Sequence, residues 1–155
     1  MRYRVQYQTW ERMRLVLDTA TMVAAIRSDS GASRRLLERA LRREGVTPLV
    51  SVPLMIEYEA VMTRPEHLRV ARLTAAEVGA LLDAVAAVAE RVRLAFLWRP
   101  LLADADDDMV LETAANGRAE GIVTFNRRDF APRVRQVGIA VLTPGEALKR
   151  LERRG

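Results

Sequence analysis

The sequence predicts an α/β fold, a three-layer α/β/α sandwich around a mainly parallel sheet of about five strands. Short apolar runs, typical of strands buried on both faces, alternate along the chain with longer amphipathic segments. Capping residues, prolines and glycines mark the boundaries between these segments. The chain has 155 residues, of which 50% are hydrophobic, which is enough for one domain with a sizeable core. Right-handed crossovers would place helices on both faces of the sheet.

Residues 1–12 are expected to be an extension of the single domain formed by residues 13–155. In this extension apolar and polar side chains alternate, which suits a short edge strand or a disordered arm. Met13 directly precedes the first buried run and is an alternative start of the chain. We assign no function to the extension.

The first strand is predicted over residues 14–18, where the apolar run RLVLD ends in an acid. A helix over residues 19–29 follows it directly. Residues 30–45 predict a second amphipathic helix, for which Ser30 or Ser33 would provide the N-cap. These segments form the first half of a β-α-β unit.

The second strand is predicted over residues 47–52. Pro53 then begins a helix over residues 53–63, as a proline in the first helical turn does, and Pro65 ends that segment. His67 lies in the connector that follows, and we interpret it as a surface loop residue.

The second half of the chain continues the alternation. Thr74 and Glu77 have the spacing of a capping box and begin a long, alanine-rich helix over residues 74–92. The remaining predicted elements are a third strand over 92–97, a helix over 109–120, a fourth strand over 121–125, a fifth strand over 138–144 and a terminal helix over 145–154.

The composition excludes several classes of site. The chain has no cysteine, so it has no disulfide, thiolate metal site or cysteine nucleophile, and this fits a reducing cytosol. A single histidine excludes a zinc site built from several imidazoles. No signal peptide or membrane span is recognisable, so we expect a cytoplasmic protein. The net charge of +5 comes almost wholly from arginine, which suggests a polyanionic partner such as nucleic acid.

Acidic residues follow the ends of several predicted strands. In open parallel sheets, ligand sites form outside the carboxyl ends of the strands. Four separate segments deliver acids to that edge: Asp18 after strand one, Glu57 and Glu59 on the helix after strand two, the run of Asp104, Asp106, Asp107 and Asp108 after strand three, and Asp129 just after strand four.

A cluster of carboxylates indicates a hard divalent ion. Each acid alone has a simpler explanation, because an Asp near a helix start gains about 0.3–1 kcal/mol from the dipole. One or two acids suffice for that purpose, whereas several carboxylates together repel one another unless a cation neutralises them. An oxygen-only set without His or Cys favours Mg²⁺ or Mn²⁺, ions that commonly serve phosphoryl chemistry.

Four stretches resemble, in order and spacing, the PIN-domain proteins, above all the VapC-like toxins of toxin–antitoxin systems. They are LVLDTATMVAAI, SVPLMIEYEAVMTRP, DADDDMVLETAANGRAEGIVTFNRRDF and VLTPGEAL, and the resemblance covers the chain from about Met13 to Leu148. It implies a metal-dependent ribonuclease with a compact α/β/α fold. It also implies a catalytic and metal-binding quartet of acids, which in this chain are Asp18, Glu57, Asp108 and Asp129.

Two members of this quartet have competitors. Helical geometry does not separate Glu57 from Glu59, and the family spacing from Ser51 favours Glu57. The apolar periodicity of the next helix favours Asp107, whereas the family spacing to Thr124 favours Asp108. We expect Asp104 or Asp107 to lie just outside the metal ligands, and Thr19, Thr124 and Asn126 to lie near the site as secondary candidates.

The resemblance also implies partners and leaves an alternative. The partners would be an RNA substrate, a small antitoxin that inserts an arginine or similar side chain into the acidic pocket, and a second copy of the chain in a homodimer. Ala20 stands where the family usually has Asn or Ser, and Asn126 where many members have an acid. Both departures favour the alternative of a catalytically weakened PIN fold that binds RNA or protein. Receiver domains and dehalogenase-type phosphatases lack support, because the lysine and the Asp-x-Asp that they require are missing.

Overall fold

The structure is a computed structural model that describes residues 12–95, 105–134 and 137–154. Within these ranges, the side chains of residues 105–108 and of residue 133 are not described. The predicted extension therefore lies outside the described residues except for Arg12, and so does Asp104. No helix in the described ranges is long and apolar enough to cross a membrane.

The described strands form one parallel sheet of five strands, as predicted. Their order is β3-β2-β1-β4-β5, and all four neighbouring pairs are parallel. Successive residues of β1 are buried, including Leu15 and Val16, because helices cover both faces of the sheet. The strands are β1 (Met13–Leu17), β2 (Val46–Val50), β3 (Glu90–Arg91), β4 (Gly121–Val123) and β5 (Ala140–Leu142).

Eight helices in the described ranges follow and connect these strands. They are α1 (Thr19–Arg27), α2 (Ala32–Leu41), α3 (Val52–Met62), α4 (Pro65–Ala71), α5 (Ala75–Val88), α6 (Ala105–Gly117), α7 (Arg127–Val134) and α8 (Pro144–Arg154). Helix α2 contacts α1, α5 and α8, whereas α6 crosses β1, β2 and β4 and contacts α7. Right-handed crossovers place these two groups on opposite faces, which gives the predicted three layers.

The strand order puts a topological switch point beside β1. The chain proceeds from β1 outward to β2 and β3, and then returns to place β4 on the other side of β1. Leu17 at the end of β1 pairs with Val123 at the end of β4. At such a point α/β sheets bind their ligands outside the carboxyl ends of the strands, which here are the ends of β1 and β4.

Capping residues and prolines in the sequence correctly predict where two helices begin. The capping box of Thr74 and Glu77 begins α5, and Pro53 lies in the first turn of α3, both as predicted. The expectation that Ser30 or Ser33 caps α2 is wrong. Gly31 is the N-cap, and its backbone N–H donates to Ser28 Oγ at 3.1 Å, which ties the turn before the helix.

The third strand was predicted too late in the sequence. Helix α5 ends at Val88 rather than continuing to residue 92, so Glu90 and Arg91 make the pairing with β2. Residues 92–95 of the predicted strand are not part of a strand, although Val92 donates a backbone hydrogen bond to the Val50 carbonyl at 2.7 Å. Residues 96–97 lie outside the described ranges. A two-residue polar strand is tolerated because β3 lies at the edge of the sheet.

Two short helices, α4 and α7, were not predicted. His67 lies in α4 rather than in a loop, and its side chain is only 14% exposed. Arg27 Nη1 lies 3.1 Å from His67 Nδ1, which joins α4 to the end of α1. Asp129, expected in a connector just after the fourth strand, lies in the first turn of α7.

Arg14 fixes the far end of α6. From β1 its guanidinium pairs with Glu90 on β3. It also donates to the carbonyl oxygens of Gly117 at 2.6 Å and Arg118 at 2.9 Å, at the end of α6. A cation at the C-terminus of a helix is stabilising because it meets carbonyls that have no partner in the helix. This contact holds α6, which carries the acidic run, against the sheet.

Candidate active site

Asp18 stands at the centre of the candidate site. It follows β1 directly and is the N-cap of α1, since its Oδ1 accepts a hydrogen bond from the Thr21 backbone N–H at 2.8 Å. Its own N–H donates to the Val123 carbonyl at 3.0 Å, which fixes it beside the end of β4. The residue is only 6% exposed. Capping therefore occupies one of the two carboxylate oxygens.

Thr124 occupies the second carboxylate oxygen. Thr124 is fully buried, and its hydroxyl donates to Asp18 Oδ2 at 2.5 Å. The Thr124 hydroxyl oxygen also accepts a hydrogen bond from the Asn126 N–H at 2.9 Å. The side-chain amide of Asn126 in turn donates to Asp129 Oδ2. A continuous chain of hydrogen bonds thus joins the carboxylate at the end of β1 to the carboxylate on α7.

Helix α3 is anchored to the same end of β1. The Tyr58 hydroxyl donates to the Leu17 carbonyl, one residue before Asp18, at 2.5 Å. Burial raises the pKa of Tyr58 well above its usual range, and the negative charge of Asp18 raises it further. Tyr58 therefore stays a neutral donor, and it places the half-buried Glu57, its neighbour in sequence, on a helix held against the site.

The two acids of α3 have different surroundings. Glu59 is exposed and lines a cavity of about 430 Å³ between α3, α5 and β3, together with Leu82 and Val92. Glu57 is not among the residues that line this cavity. Helix periodicity alone did not separate Glu57 from Glu59, whereas their surroundings in the structure differ.

Hydroxyl groups join α6 to the start of α3. Ser51, the N-cap of α3, lies 2.7 Å from Thr113 through their side-chain oxygens, and Thr113 donates to the Met109 carbonyl at 2.8 Å. Helix α6 begins at Ala105, four residues earlier than predicted. The aspartates at positions 106–108 therefore belong to the helix, where the dipole stabilises negative charge.

The PIN domain family model matches residues 14–128. The chain belongs to the PIN-domain family. The match spans β1 to the start of α7, and so it includes Asp18, Glu57 and Asp108 but stops one residue before Asp129. A search of curated proteins found no match.

The fold of this PIN domain is similar to that of a solved toxin–antitoxin structure. The crystal structure of VapBC2 from Rickettsia felis bound to a DNA fragment from their promoter contains a chain that aligns with a TM-score of 0.56. The sequences are 14% identical, and the alignment covers 84% of this chain and 98% of that one. At this identity the likeness concerns the fold.

The described side chains of the PIN domain assemble only part of the predicted quartet. Asp18 and Asp129 are joined through Thr124 and Asn126, and Glu57 lies on the anchored helix α3. The side chain of Asp108 lies outside the described part of the chain. Among the side chains that the structure describes, no group of three or more His, Cys, Asp or Glu is close enough to hold a metal ion.

The site also contains supporting residues that the sequence did not single out for these contacts. Thr21, Ser51, Tyr58 and Thr113 all make buried hydrogen bonds at the carboxyl edge of the sheet. Their hydroxyl groups were the only available signal, and Tyr58 and Thr113 lie within helices rather than at their ends. Their partners lie up to 102 residues away in sequence, as for Thr21 Oγ1 and the Val123 carbonyl, so spacing could not reveal them.

Arg127 is positioned at the start of α7 by Glu146. Its Nη1 lies 3.1 and 3.3 Å from the two carboxylate oxygens of Glu146. Thr143 and Glu146 form reciprocal hydrogen bonds at the start of α8, and the backbone N–H of Thr143 is the main cause that lowers the pKa of Glu146. Glu146 thus stays charged and orients an arginine beside the site.

Proposed function

We propose that this PIN domain is a cytoplasmic endoribonuclease that requires Mg²⁺ or Mn²⁺ and hydrolyses RNA phosphodiesters. The observation that carries the proposal is the buried Asp18 at the topological switch point, hydrogen-bonded to Thr124. Membership of the PIN-domain family supports it. The arginine-rich composition supports a polyanionic substrate.

The residues around Asp18 suit a hard divalent ion. Each Asp18 oxygen accepts one hydrogen bond and retains a second lone pair, and no described Lys, Arg or His forms an ion pair with this carboxylate. The hydroxyl oxygen of Thr19, next in sequence, is buried and has no hydrogen-bond partner in the described part of the chain. All these potential metal ligands are oxygen atoms, which Mg²⁺ and Mn²⁺ prefer.

We infer that Asp18, Glu57, Asp108 and Asp129 would hold the ion, directly or through water. When bound, the ion would supply an acidified water and neutralise charge on the scissile phosphate. The chain's own residues do the positioning. Thr21 and Thr124 hold both oxygens of Asp18, and Asn126 orients Asp129 through its side-chain amide.

Asn126 thus has a positioning role at a place where many PIN domains have an acid. Arg127 and Arg128, both exposed at the start of α7, would bind the RNA backbone. In-line attack on the phosphodiester would leave a 5′-phosphate and a 3′-hydroxyl.

Cleavage of total RNA tests the proposal. We expect purified protein with Mg²⁺ or Mn²⁺ to produce fragments with 5′-phosphates, and EDTA to stop the reaction. Asp18→Asn keeps the size of the side chain and is expected to lower the rate by at least about 10²-fold, because it removes a charged ligand. Asp83→Asn, on the exposed surface of α5, is the matched control. The proposal is wrong if RNA stays intact with either ion, or if Asp18→Asn and Asp83→Asn cleave equally well.

We further propose that the nuclease is the toxin of a type II toxin–antitoxin pair and that it forms a homodimer. The likeness in fold to a chain of the VapBC2 structure, which contains a toxin–antitoxin pair on its promoter DNA, supports an antitoxin partner. Expression of the chain alone should arrest growth, and co-expression of a small DNA-binding protein encoded beside it should restore growth. Sedimentation equilibrium measures the molar mass in solution, which should be twice that of one chain if the protein forms a homodimer. Harmless expression of the active nuclease would contradict the toxin role.

A non-catalytic RNA- or protein-binding PIN domain is the alternative. Asn126 favours it, because an amide in place of an acid removes one negative charge from the site. Titration with Mn²⁺ separates the two functions. Measurable binding that Asp18→Asn abolishes supports the nuclease, whereas RNA binding without any Mn²⁺ binding supports the alternative.

A further inference from the structure

We propose that Phe125 is a stacking platform for one base of single-stranded RNA beside the Asp18 site. The proposal deepens the ribonuclease function proposed above and rests on it. It assigns a substrate-binding role to a residue that lies outside the predicted acids and their secondary candidates.

Phe125 differs from the other aromatic residues that the structure describes. Tyr58 and Phe130 are at most 1% exposed, whereas Phe125 is 58% exposed. Burying an aromatic ring is strongly favourable, so an exposed ring forgoes that stabilisation. Single exposed apolar side chains are common, and for this reason the position of the ring must carry the argument.

The position of Phe125 is fixed by the site itself. The preceding residue, Thr124, is fully buried and bonded to Asp18, and the following residue, Asn126, is bonded through its backbone to Thr124 and through its side chain to Asp129. The ring therefore projects from a turn whose two neighbours are both hydrogen-bonded within the candidate site. The backbone at Phe125 is therefore held on both sides, so a ligand would have to order only the ring.

Two arginines follow Phe125 closely in sequence. Arg127 is oriented by Glu146, and Arg128 is exposed and forms no ion pair with a described side chain. Both arginines line a cavity of about 450 Å³ between α7 and β5. An aromatic face adjoining guanidinium groups is the combination with which proteins bind single strands, since the ring takes a base and the cations take phosphates.

This arrangement selects for single strands rather than for a sequence. Every base has a π-face, so stacking tolerates any of the four bases. In a duplex the bases are already stacked on one another and cannot reach the ring. We therefore expect cleavage at unpaired segments, with one base adjacent to the scissile phosphate stacked on Phe125.

Binding of labelled oligonucleotides tests the role of the ring. The probes are a twelve-residue oligouridine, the same strand with abasic positions throughout, and a paired RNA duplex of equal length, measured by fluorescence anisotropy with the full chain in EDTA to prevent cleavage. The protein variants are Phe125→Ala, Phe125→Trp and Phe125→Leu. Val70→Ala, an exposed apolar position on α4, is the control.

Phe125→Ala should weaken oligouridine binding about tenfold, and Phe125→Trp should restore binding to within about twofold of the wild type. Phe125→Leu should behave like Phe125→Ala, because a leucine is apolar but has no aromatic face. Binding of the abasic strand and of the duplex should change less than twofold in all variants. An equal loss on the abasic strand would overturn the proposal, because it would show a structural effect rather than contact with a base.

The ribonuclease function and the stacking proposal fail in different ways. If the wild type cleaves RNA and Phe125→Ala binds oligouridine as well as the wild type, stacking is wrong and the nuclease function stands. If the wild type neither cleaves RNA nor binds any single strand, both are wrong. Cleavage of a duplex as fast as of a single strand would also contradict stacking, whatever the binding data show.

Discussion

Replacing Thr124 by valine tests the hydrogen bond that joins the ends of β1 and β4. Valine keeps the shape of the threonine side chain but removes the hydroxyl that donates to Asp18 Oδ2 and accepts the Asn126 N–H. A hydrogen bond to a charged group contributes about 1.5–3 kcal/mol. The additional buried methyl group returns about 0.8 kcal/mol. The bond from the Asn126 N–H contributes about 0.5–1.5 kcal/mol more, so we expect Thr124→Val to lower the free energy of unfolding by roughly 1–4 kcal/mol.

Thr113→Val is the matched control. Thr113 is also fully buried, but its hydroxyl bonds to Ser51 and to the Met109 carbonyl, which are both neutral. Each neutral hydrogen bond contributes about 0.5–1.5 kcal/mol and the added methyl group returns about 0.8 kcal/mol, so the loss of both bonds should cost roughly 0–2 kcal/mol.

Urea denaturation of both variants at neutral pH, with equal m values, measures the difference between them. A second measurement is a double-mutant cycle. The unfolding free energies of Asp18→Asn, Thr124→Val and the double variant that carries both changes give the interaction energy between Asp18 and Thr124. We expect this interaction energy to be at least about 1 kcal/mol. A cost for Thr124→Val no larger than for Thr113→Val would refute the reasoning, because the charge of Asp18 would then contribute nothing to the contact.

Three further predictions concern the acids and the helices that hold them. Asp108→Asn should lower the initial rate of RNA cleavage with Mn²⁺ by at least about 10²-fold, and Asp107→Asn should lower it by about tenfold. If Asp107→Asn has the larger effect, Asp107 is the metal ligand instead of Asp108. Tyr58→Phe should cost about 1 kcal/mol at neutral pH. Because burial raises the pKa of Tyr58, the wild type loses this residue's contribution as the pH rises above about 10, so urea denaturation against pH should show a smaller alkaline decline in the variant. Arg14→Met should lower stability by about 1 kcal/mol without changing Mn²⁺ affinity, since the ion pair is partly exposed and lies away from the site.

The fold could be predicted because the central strands are buried on both faces. Residues 15–17 and 121–123 carry no polar side chain, and such runs are typical of strands in a parallel sheet that helices cover on both faces. Asp18 was proposed as a site residue for a related reason. It follows a buried strand directly, and parallel strands deliver such residues to one edge. The structure hydrogen-bonds it to Thr124, one of the secondary candidates.

The edge of the sheet and the short helices could not be predicted from the same signals. Strand β3 consists of Glu90 and Arg91, which are exposed and carry no apolar pattern, and the alanine-rich sequence before them continues the helical signal without a stop. Helix α7 contains Pro132 and begins with charged residues, so its composition resembles a loop. Its helical state is set by packing against α6 and β5 instead.

The hydrogen bonds of the site likewise could not be predicted from the sequence. Tyr58 lies on the buried face of its helix with Leu54 and Met62, but its hydroxyl donates to a carbonyl 41 residues earlier in the chain. Such contacts depend on the crossing of α3 and β1 in three dimensions. Residue types and spacing predict which acids form the site, and only the folded chain determines which donors orient Asp18 and Asp129.

A crystal structure of the protein grown with Mn²⁺ is the most direct test of the account, because the anomalous signal of manganese locates the ion without assumptions. We predict a peak at the carboxyl ends of β1 and β4, within about 2.0–2.4 Å of an Asp18 carboxylate oxygen, with further ligands from Glu57, Asp108 or Asp129. The peak should vanish in Asp18→Asn. An enzyme that cleaves RNA in the same buffer, yet shows no manganese near Asp18, would contradict the central claim that these oxygens meet around a divalent ion.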